Sequence, residues 1–376
     1  MITIRPGSQV HQLLRLLSAA GEIPSTTFQF IGNERSVAAL VHKLESVQDF
    51  RLENNSWAFR TKLLQVSGKK EQRTIRLYKA ALPVLDILHP AALDYYMYAF
   101  LGHKFPGNPQ HIQRNHRVAE ALALCMSAGV EICPYALPVL QKAGIQRTVP
   151  DLPCFYIARD IKKIAGDASN KTAFTRITGA LFCRRKVYAV YNSRGAVMKW
   201  SGLGEVKALG NLMEITRMNA GLETVDAALL FGADADTALK TVLESDRSRR
   251  PELRFDRIYR GIHFVPLNHK GARLLKLLIL PDWNEKLLSA LFEPGQRSYN
   301  RGAMEYDAVI GGRKTLSYLD GDIARLIRFR EALNYRAEPA DVLCYPWQTD
   351  FLKSYLRGIA GLRELDMDTV EDALRE

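Results

Sequence analysis

Three residues have the types and the order of a metal-dependent nuclease site: Asp151, Glu205 and Lys207. In such a site carboxylates hold Mg²⁺, and a lysine positions the attacking water or stabilises charge on the phosphate. Glu205 and Lys207, however, fall where the sequence predicts the start of a helix, whereas that motif lies on a strand. The predicted strand Ala189–Asn192 carries no acidic pair. We therefore expect a nuclease-like core without activity, and an active Mg²⁺-dependent DNA nuclease is the alternative.

Other polar groups in the sequence have structural explanations. His263 lies in an apolar, strand-like stretch and is typical of a hydrogen-bonded core histidine. Asp320 and Asp322 stand at the start of a predicted helix, where carboxylates cap main-chain N–H groups. The sequence contains none of the motifs GxGxxG, GxxxxGK[ST], HExxH, GxSxG or CxxC. We expect no cofactor, except Mg²⁺ if the nuclease alternative holds.

Positive charge is concentrated in two blocks of the sequence. The 376 residues include 52 basic and 40 acidic side chains, a net charge of +12. Residues 51–79 hold eight basic and two acidic residues, and residues 147–207 hold twelve and four. The two blocks together exceed the net charge of the chain, so the remainder is mildly acidic. Charge clustered in this way favours binding to a polyanion, and double-stranded DNA is the expected partner.

The first hundred residues have the pattern of a winged helix-turn-helix. Apolar spacing, with Ser8 and Asn33 as caps and Gly21 as a stop, predicts helices over 8–20, 24–31 and 34–47. Extended segments follow at 50–52, 57–66 and 74–78, with a basic loop at 68–73. In that fold the third helix enters the major groove, and the β-hairpin, or wing, contacts phosphates.

This pattern assigns the residues that we expect to bind DNA. The third helix offers Arg35, Ser36, His42 and Lys43, and the wing offers Arg60, Lys62, Lys69, Lys70 and Arg73. A second contact with duplex is expected from Arg184, Arg185 and Lys186. An aromatic helix over 90–100 predicts a homodimer seam formed by Tyr95, Tyr96, Tyr98 and Phe100.

Composition shifts and element order predict the domain organisation. A Pro- and Gly-containing linker is expected at 102–112, after a winged-helix domain at 1–101. Strands that then alternate with helices predict a nuclease-like α/β domain with a mixed sheet at 113–250 and a C-terminal α/β extension at 251–376. Within the second domain a hairpin is expected to turn at 193–195. The fold class is therefore α+β or α/β.

Several segments together resemble the plasmid replication-relaxation family. These are the winged-helix pattern, Arg114–Glu120 at the start of a helix, Arg176–Phe182, Val187–Asn192 and Met198–Trp200. The family is carried on plasmids and integrative conjugative elements of Gram-positive bacteria. The resemblance covers roughly residues 8–245. It implies a DNA-binding role in replication, mobilisation or conjugation of a mobile genetic element, with a restriction-endonuclease-like second domain.

The sequence thus predicts a sequence-specific or structure-specific DNA-binding protein that acts on such an element. The alternatives are the Mg²⁺-dependent nuclease and a scaffold that binds proteins and uses its charge for solubility. No stretch of about 18 apolar residues occurs, so no membrane span is expected. Because residues 1–6 lack the apolar region of a signal peptide, we expect a cytoplasmic protein.

Overall fold

The structure is a computed structural model of the chain, and it has two compact units. It describes residues 1–53, 57–100, 102–105, 107–132, 152–164, 176–197, 203–222, 224–225, 227–247, 254–298 and 304–375. One unit comprises residues 1–141 with 148–157, and the other comprises residues 142–147 with 158–376. Each combines helices with sheets, which confirms the mixed α and β class. No described helix has the length and apolarity to span a membrane.

The first unit begins with a helix, a short strand, a short helix and a second long helix. Its described elements are β1 (Ile2–Ile4), α1 (Gln9–Ala20), β2 (Glu22–Ile23), a 3-10 helix (Ser25–Phe30), α2 (Glu34–Glu45), β3 (Gln48–Leu52), β4 (Ala58–Thr61), β5 (Leu64–Ser67), β6 (Thr74–Leu77), α3 (Leu82–Leu88), α4 (Pro90–Ala99), α5 (Pro109–Ser127) and β7 (Cys154–Ile157). Ser8 caps α1 and Gly21, with φ of 77°, ends it, as the sequence predicts.

Two three-stranded sheets follow from this order. Strands β2, β6 and β5 form one antiparallel sheet. In the other sheet, β3 pairs parallel with β1 and antiparallel with β4. The predicted single extended segment 57–66 is therefore divided at Leu63. The Leu63 N–H donates to the Leu44 oxygen at the end of α2, at 2.9 Å, and the Leu63 oxygen accepts from the Tyr78 N–H at 2.8 Å. Because Leu63 bonds to Leu44 and Tyr78 and not to β3, the chain leaves the sheet of β4 here and continues as β5 in the other sheet.

Helix α5 belongs to the first unit, although the sequence places it after the 102–112 linker, in the second domain. It packs against α1, β2 and the 3-10 helix. The Thr26 hydroxyl donates to the buried Glu120 carboxylate at 2.6 Å. The apolar face of this helix thus completes the core of the first unit, and the compact region continues beyond the predicted linker.

The second unit contains two sheets flanked by helices. Its described elements are α6 (Ala158–Ile164), β8 (Gly179–Cys183), β9 (Lys186–Arg194), α7 (Leu203–Ala220), β10 (Ala227–Gly232), α8 (Ala235–Asp246), α9 (Phe255–Ile258), β11 (Gly261–Pro266), α10 (His269–Leu278), α11 (Trp283–Leu291), β12 (Ala308–Ile310), β13 (Arg313–Ser317), α12 (Ile323–Arg336), β14 (Ala340–Cys344), α13 (Thr349–Leu356), β15 (Gly361–Glu364) and α14 (Met367–Ala373).

Both sheets of the second unit are mixed, with one antiparallel pair and further parallel strands. Strand β8 pairs antiparallel with β9, and β9, β10 and β11 are parallel. Strand β12 pairs antiparallel with β13, and β13, β14 and β15 are parallel. The β8–β9 hairpin turns at Arg184 and Arg185, because Cys183 pairs with Lys186. The turn predicted at 193–195 is wrong, since β9 continues to Arg194.

Candidate nucleic-acid interface

Helix α2 has one buried apolar face and one exposed polar face. The Asn33 side-chain oxygen accepts from the main-chain N–H of Arg35 and of Ser36, at 3.1 and 3.3 Å, and this cap starts the helix. The buried face consists of Val37, Val41 and Leu44. The four residues that the sequence assigns to DNA on this helix are all exposed: Arg35, Ser36, His42 and Lys43. Helical spacing therefore places the predicted groove-reading residues in solvent.

The loop between β5 and β6 is the second exposed basic element of the first unit. Ser67 pairs with Thr74 at its base. Gly68 has φ of 77°, and a Cβ there would lie 2.2 Å from the Gln72 oxygen, so only glycine fits this bend. The three basic residues predicted for this loop are exposed: Lys69, Lys70 and Arg73.

The charges on α2 and on this loop are not neutralised by described carboxylates. Throughout the described ranges, none of Arg35, Lys43, Lys69, Lys70 and Arg73 lies within ion-pair distance of an acidic side chain. Other arginines of the same unit are paired, because Arg5 contacts Glu53 and Arg76 contacts Glu22, each at 3.1 Å. Uncompensated cations on two exposed elements are what binding to a polyanion requires.

Two of the predicted wing residues have different surroundings. Arg60 is exposed on β4, in the sheet with β1 and β3, and its cross-strand partner is Asp49. The Lys62 ammonium lies 4.0 Å from the centre of the Tyr78 ring, a cation–π contact that holds it against the protein. The structure therefore places these two residues outside the β5–β6 loop.

The predicted second contact, Arg184 to Lys186, forms the β8–β9 turn of the second unit. The Arg185 guanidinium contacts the Asp282 carboxylate at 3.2 Å, and the Lys186 ammonium lies 4.8 Å from the Trp283 ring centre. Arg184 is exposed. Two of the three cations thus have partners within their own unit, which reduces their charge available to DNA.

The structure describes two of the three predicted nuclease residues, and one of these two is buried while the other is exposed. Asp151 lies outside the described residues. Glu205 is buried in the first turn of α7, where it accepts a hydrogen bond from the Arg176 guanidinium at 2.7 Å, while Lys207 is exposed. Sequence reasoning missed Arg176, because no local pattern relates it to Glu205. Strands β8, β9, β10 and β11 contain no Asp or Glu.

One group of side chains in the described part of the chain has the types and proximity for a metal ion: His263, Asp320 and Asp322. All three are buried, and their ligand atoms lie within 4.8 Å of one another. The Asp322 Oδ1 accepts three main-chain N–H groups, and His263 Nδ1 lies 3.0 Å from the Asp320 main-chain oxygen, to which it donates. The expected cap role is therefore confirmed for Asp322, and the expected core position is confirmed for His263. Asp320 instead accepts from the Asp322 N–H, which precedes the helix.

The predicted aromatic seam is partly inside the first unit. Tyr96 and Phe100 are buried, and the Tyr96 hydroxyl is hydrogen-bonded to His103 Nδ1 at 2.8 Å. Tyr98 is 69% exposed, and Tyr95 is half-buried. Tyr96 and Phe100 are consequently unavailable to a partner chain, and a homodimer through this helix would depend on the other two tyrosines.

Comparison with known proteins provides no relative for this chain. No protein-family model, no curated protein and no solved structure matches it. Its function is therefore inferred from the side chains described above, from their exposure and from their charge.

Proposed function

We propose that the first unit is a winged helix-turn-helix that binds double-stranded DNA. The order of α1, β2, the 3-10 helix, α2, β5 and β6, with β2 pairing to β6 and β6 to β5, supports this assignment. In this arrangement α2 is the recognition helix, and the β5–β6 loop is the wing.

The observation that carries the proposal is the uncompensated charge on these two elements. Arg35 and Lys43 on α2 would approach the major groove, and Lys69, Lys70 and Arg73 would contact phosphates. Ser36 and His42 add hydrogen-bonding groups on the same exposed helix. Binding through phosphates releases counterions, so it weakens steeply with salt.

We also propose that the second unit does not cleave DNA. Its β8–β9 hairpin, α7 and the parallel strand β10 have the order of a nuclease core, yet Glu205 is held by Arg176. The partly exposed Arg176 guanidinium beside this buried carboxylate supplies positive charge that a metal ion would otherwise provide. A role in replication, mobilisation or regulation of a plasmid or integrative element is supported by the sequence resemblance.

Gel-shift titrations of duplex DNA at several salt concentrations test the wing. We expect the Lys69→Ala, Lys70→Ala double variant to bind more weakly to all sequences, and its log–log salt slope to be smaller by about 2. Arg5→Ala, which removes a cation already paired with Glu53, is the matched control and should leave the slope unchanged. An unchanged slope in the double variant would exclude the wing from the interface, and absence of any shift would overturn DNA binding itself.

A further inference from the structure

Two imidazole rings face each other in the first unit. The Nε2 atoms of His11 and His89 are 3.2 Å apart, and the ring centres are 5.4 Å apart. His11 lies in the first turn of α1, and His89 is the single residue between α3 and α4. The pair therefore joins the start of one helix to the junction of two others.

The main chain determines which nitrogen of each ring carries the proton. The Gly7 N–H donates to His11 Nδ1 at 3.2 Å, so this nitrogen is an acceptor. In a neutral imidazole the other nitrogen then carries the hydrogen, and His11 Nε2–H donates to His89 Nε2. His89 consequently carries its own hydrogen on Nδ1. The arrangement is complete only when both rings are neutral.

An added proton has no suitable position in this arrangement. On His11 Nδ1 it would face the Gly7 N–H, and on His89 Nε2 it would face the His11 donor. Burial lowers the pKa of both histidines. The neighbouring His89 and then Arg15 lower that of His11 further, and Arg15 also lowers that of His89. Arg15 follows His11 by one helical turn, and its guanidinium lies 3.6 Å from the Glu131 carboxylate.

We propose that His11 and His89 form a pH-sensitive latch, which ties the start of α1 to the α3–α4 junction near neutral pH and opens on acidification. Helix α1 also packs against α4 and against β6. Opening of the latch therefore weakens the packing of α1 against α4 and against β6, which is one strand of the β5–β6 hairpin. This inference does not depend on DNA binding, because it concerns contacts within the first unit alone.

Nitrogen-15 NMR of the histidine rings in the full chain tests the latch directly. At pH 8 we expect the Nε2–H tautomer for His11 and the Nδ1–H tautomer for His89, with signals assigned by His11→Gln and His89→Gln. Both rings should titrate below the value of about 6.5 that is usual for an unperturbed histidine. The same tautomer on both rings, or titration of either ring at or above about 6.5, would overturn the proposal.

Amide hydrogen exchange at pH 7 and pH 5, corrected for the intrinsic rates, gives an independent measurement. In the wild type we expect protection of residues 9–20 and 82–99 to fall at pH 5, by up to about tenfold per pH unit for each proton taken up on opening. His111→Gln should behave like the wild type, whereas the His11→Gln, His89→Gln double variant should lose this pH dependence. If the double variant does not fold, the tautomers of the wild type still decide the question.

Discussion

Asp322 is the residue at which two segments of the second unit converge. Its Oδ1 accepts the N–H of Ile262 on β11 and the N–H groups of Ala324 and Arg325 at the start of α12, at 2.9 to 3.1 Å. The side chain thus caps α12 and also accepts a main-chain hydrogen bond from the strand β11. Three main-chain donors, two of them in buried hydrogen bonds, depend on one oxygen, which makes this position sensitive to truncation.

We expect Asp322→Ala to lower the free energy of unfolding by about 2–4 kcal/mol, because it leaves these donors without an acceptor. Asp322→Asn keeps an oxygen at the same place and should cost clearly less. Differential scanning calorimetry of both variants at pH 7 measures the difference. Equal losses for the two substitutions would contradict the role assigned to the oxygen.

Asp320 should make stability depend on pH. The pKa of its carboxyl is raised to about 6, chiefly by burial. The neighbouring His263 lowers this pKa, and the negative charge of Asp322 raises it. This pKa exceeds the unfolded value of about 3.9, so the folded state holds a proton that the unfolded chain releases between these values. Stability therefore falls as the pH rises from about 4 to 6, by on the order of 2–3 kcal/mol. Urea unfolding at several pH values measures this. The free energy of unfolding should depend less on pH in Asp320→Asn than in the wild type.

At the scale of elements, the shape of the β5–β6 loop, which is the proposed wing, depends on the bend at Gly68. We expect Gly68→Ala to weaken binding of duplex DNA by about tenfold, because the methyl group meets the Gln72 oxygen and moves Lys69 and Lys70. Helix content by circular dichroism should stay unchanged. Gly204→Ala places its methyl group in open space and is the control. Full affinity in Gly68→Ala would show that the shape of the loop is irrelevant.

The sequence predicts elements well where the signals are local. Helices α1 and α2 follow from the caps Ser8 and Asn33 and from their apolar spacing, so their exposed faces were also predictable. The division of the 57–66 segment was not, because the bonds that turn the chain at Leu63 come from Leu44 and Tyr78. Arg176 and Glu205 likewise meet only through tertiary folding, and spacing alone gave no indication of the pair.

At the scale of the whole molecule, the net charge of +12 does not show which positive side chains lack an acidic partner. Many arginines of the second unit are paired with carboxylates: Arg254 with Asp256, Arg273 with Asp368, Arg313 with Asp341, Arg325 with Asp307, Arg328 with Glu305 and Arg330 with Asp246. Part of the basic composition therefore stabilises the fold. Among the residues that the structure describes, exposed cations without an acidic partner remain on α2 and on the β5–β6 loop.

We expect supercoiled plasmid to be retarded by the protein but not nicked, in Mg²⁺ or in EDTA, because Glu205 is engaged by Arg176. Agarose electrophoresis of wild type and Glu205→Gln checks this. Nicks that appear with Mg²⁺ and vanish in the variant would instead support the nuclease alternative.

Leu63 has a mechanical consequence for any DNA site. Its main-chain N–H is bonded to the last turn of α2, and its main-chain oxygen is bonded to the residue that follows β6. Helix α2 and the β5–β6 hairpin, the proposed recognition helix and wing, are thereby bonded to the same residue, which restricts the distance between them. We therefore expect binding to weaken when one base pair is inserted between the bases that α2 would contact and the phosphates that the β5–β6 loop would contact. The protein could then keep only one of the two sets of contacts.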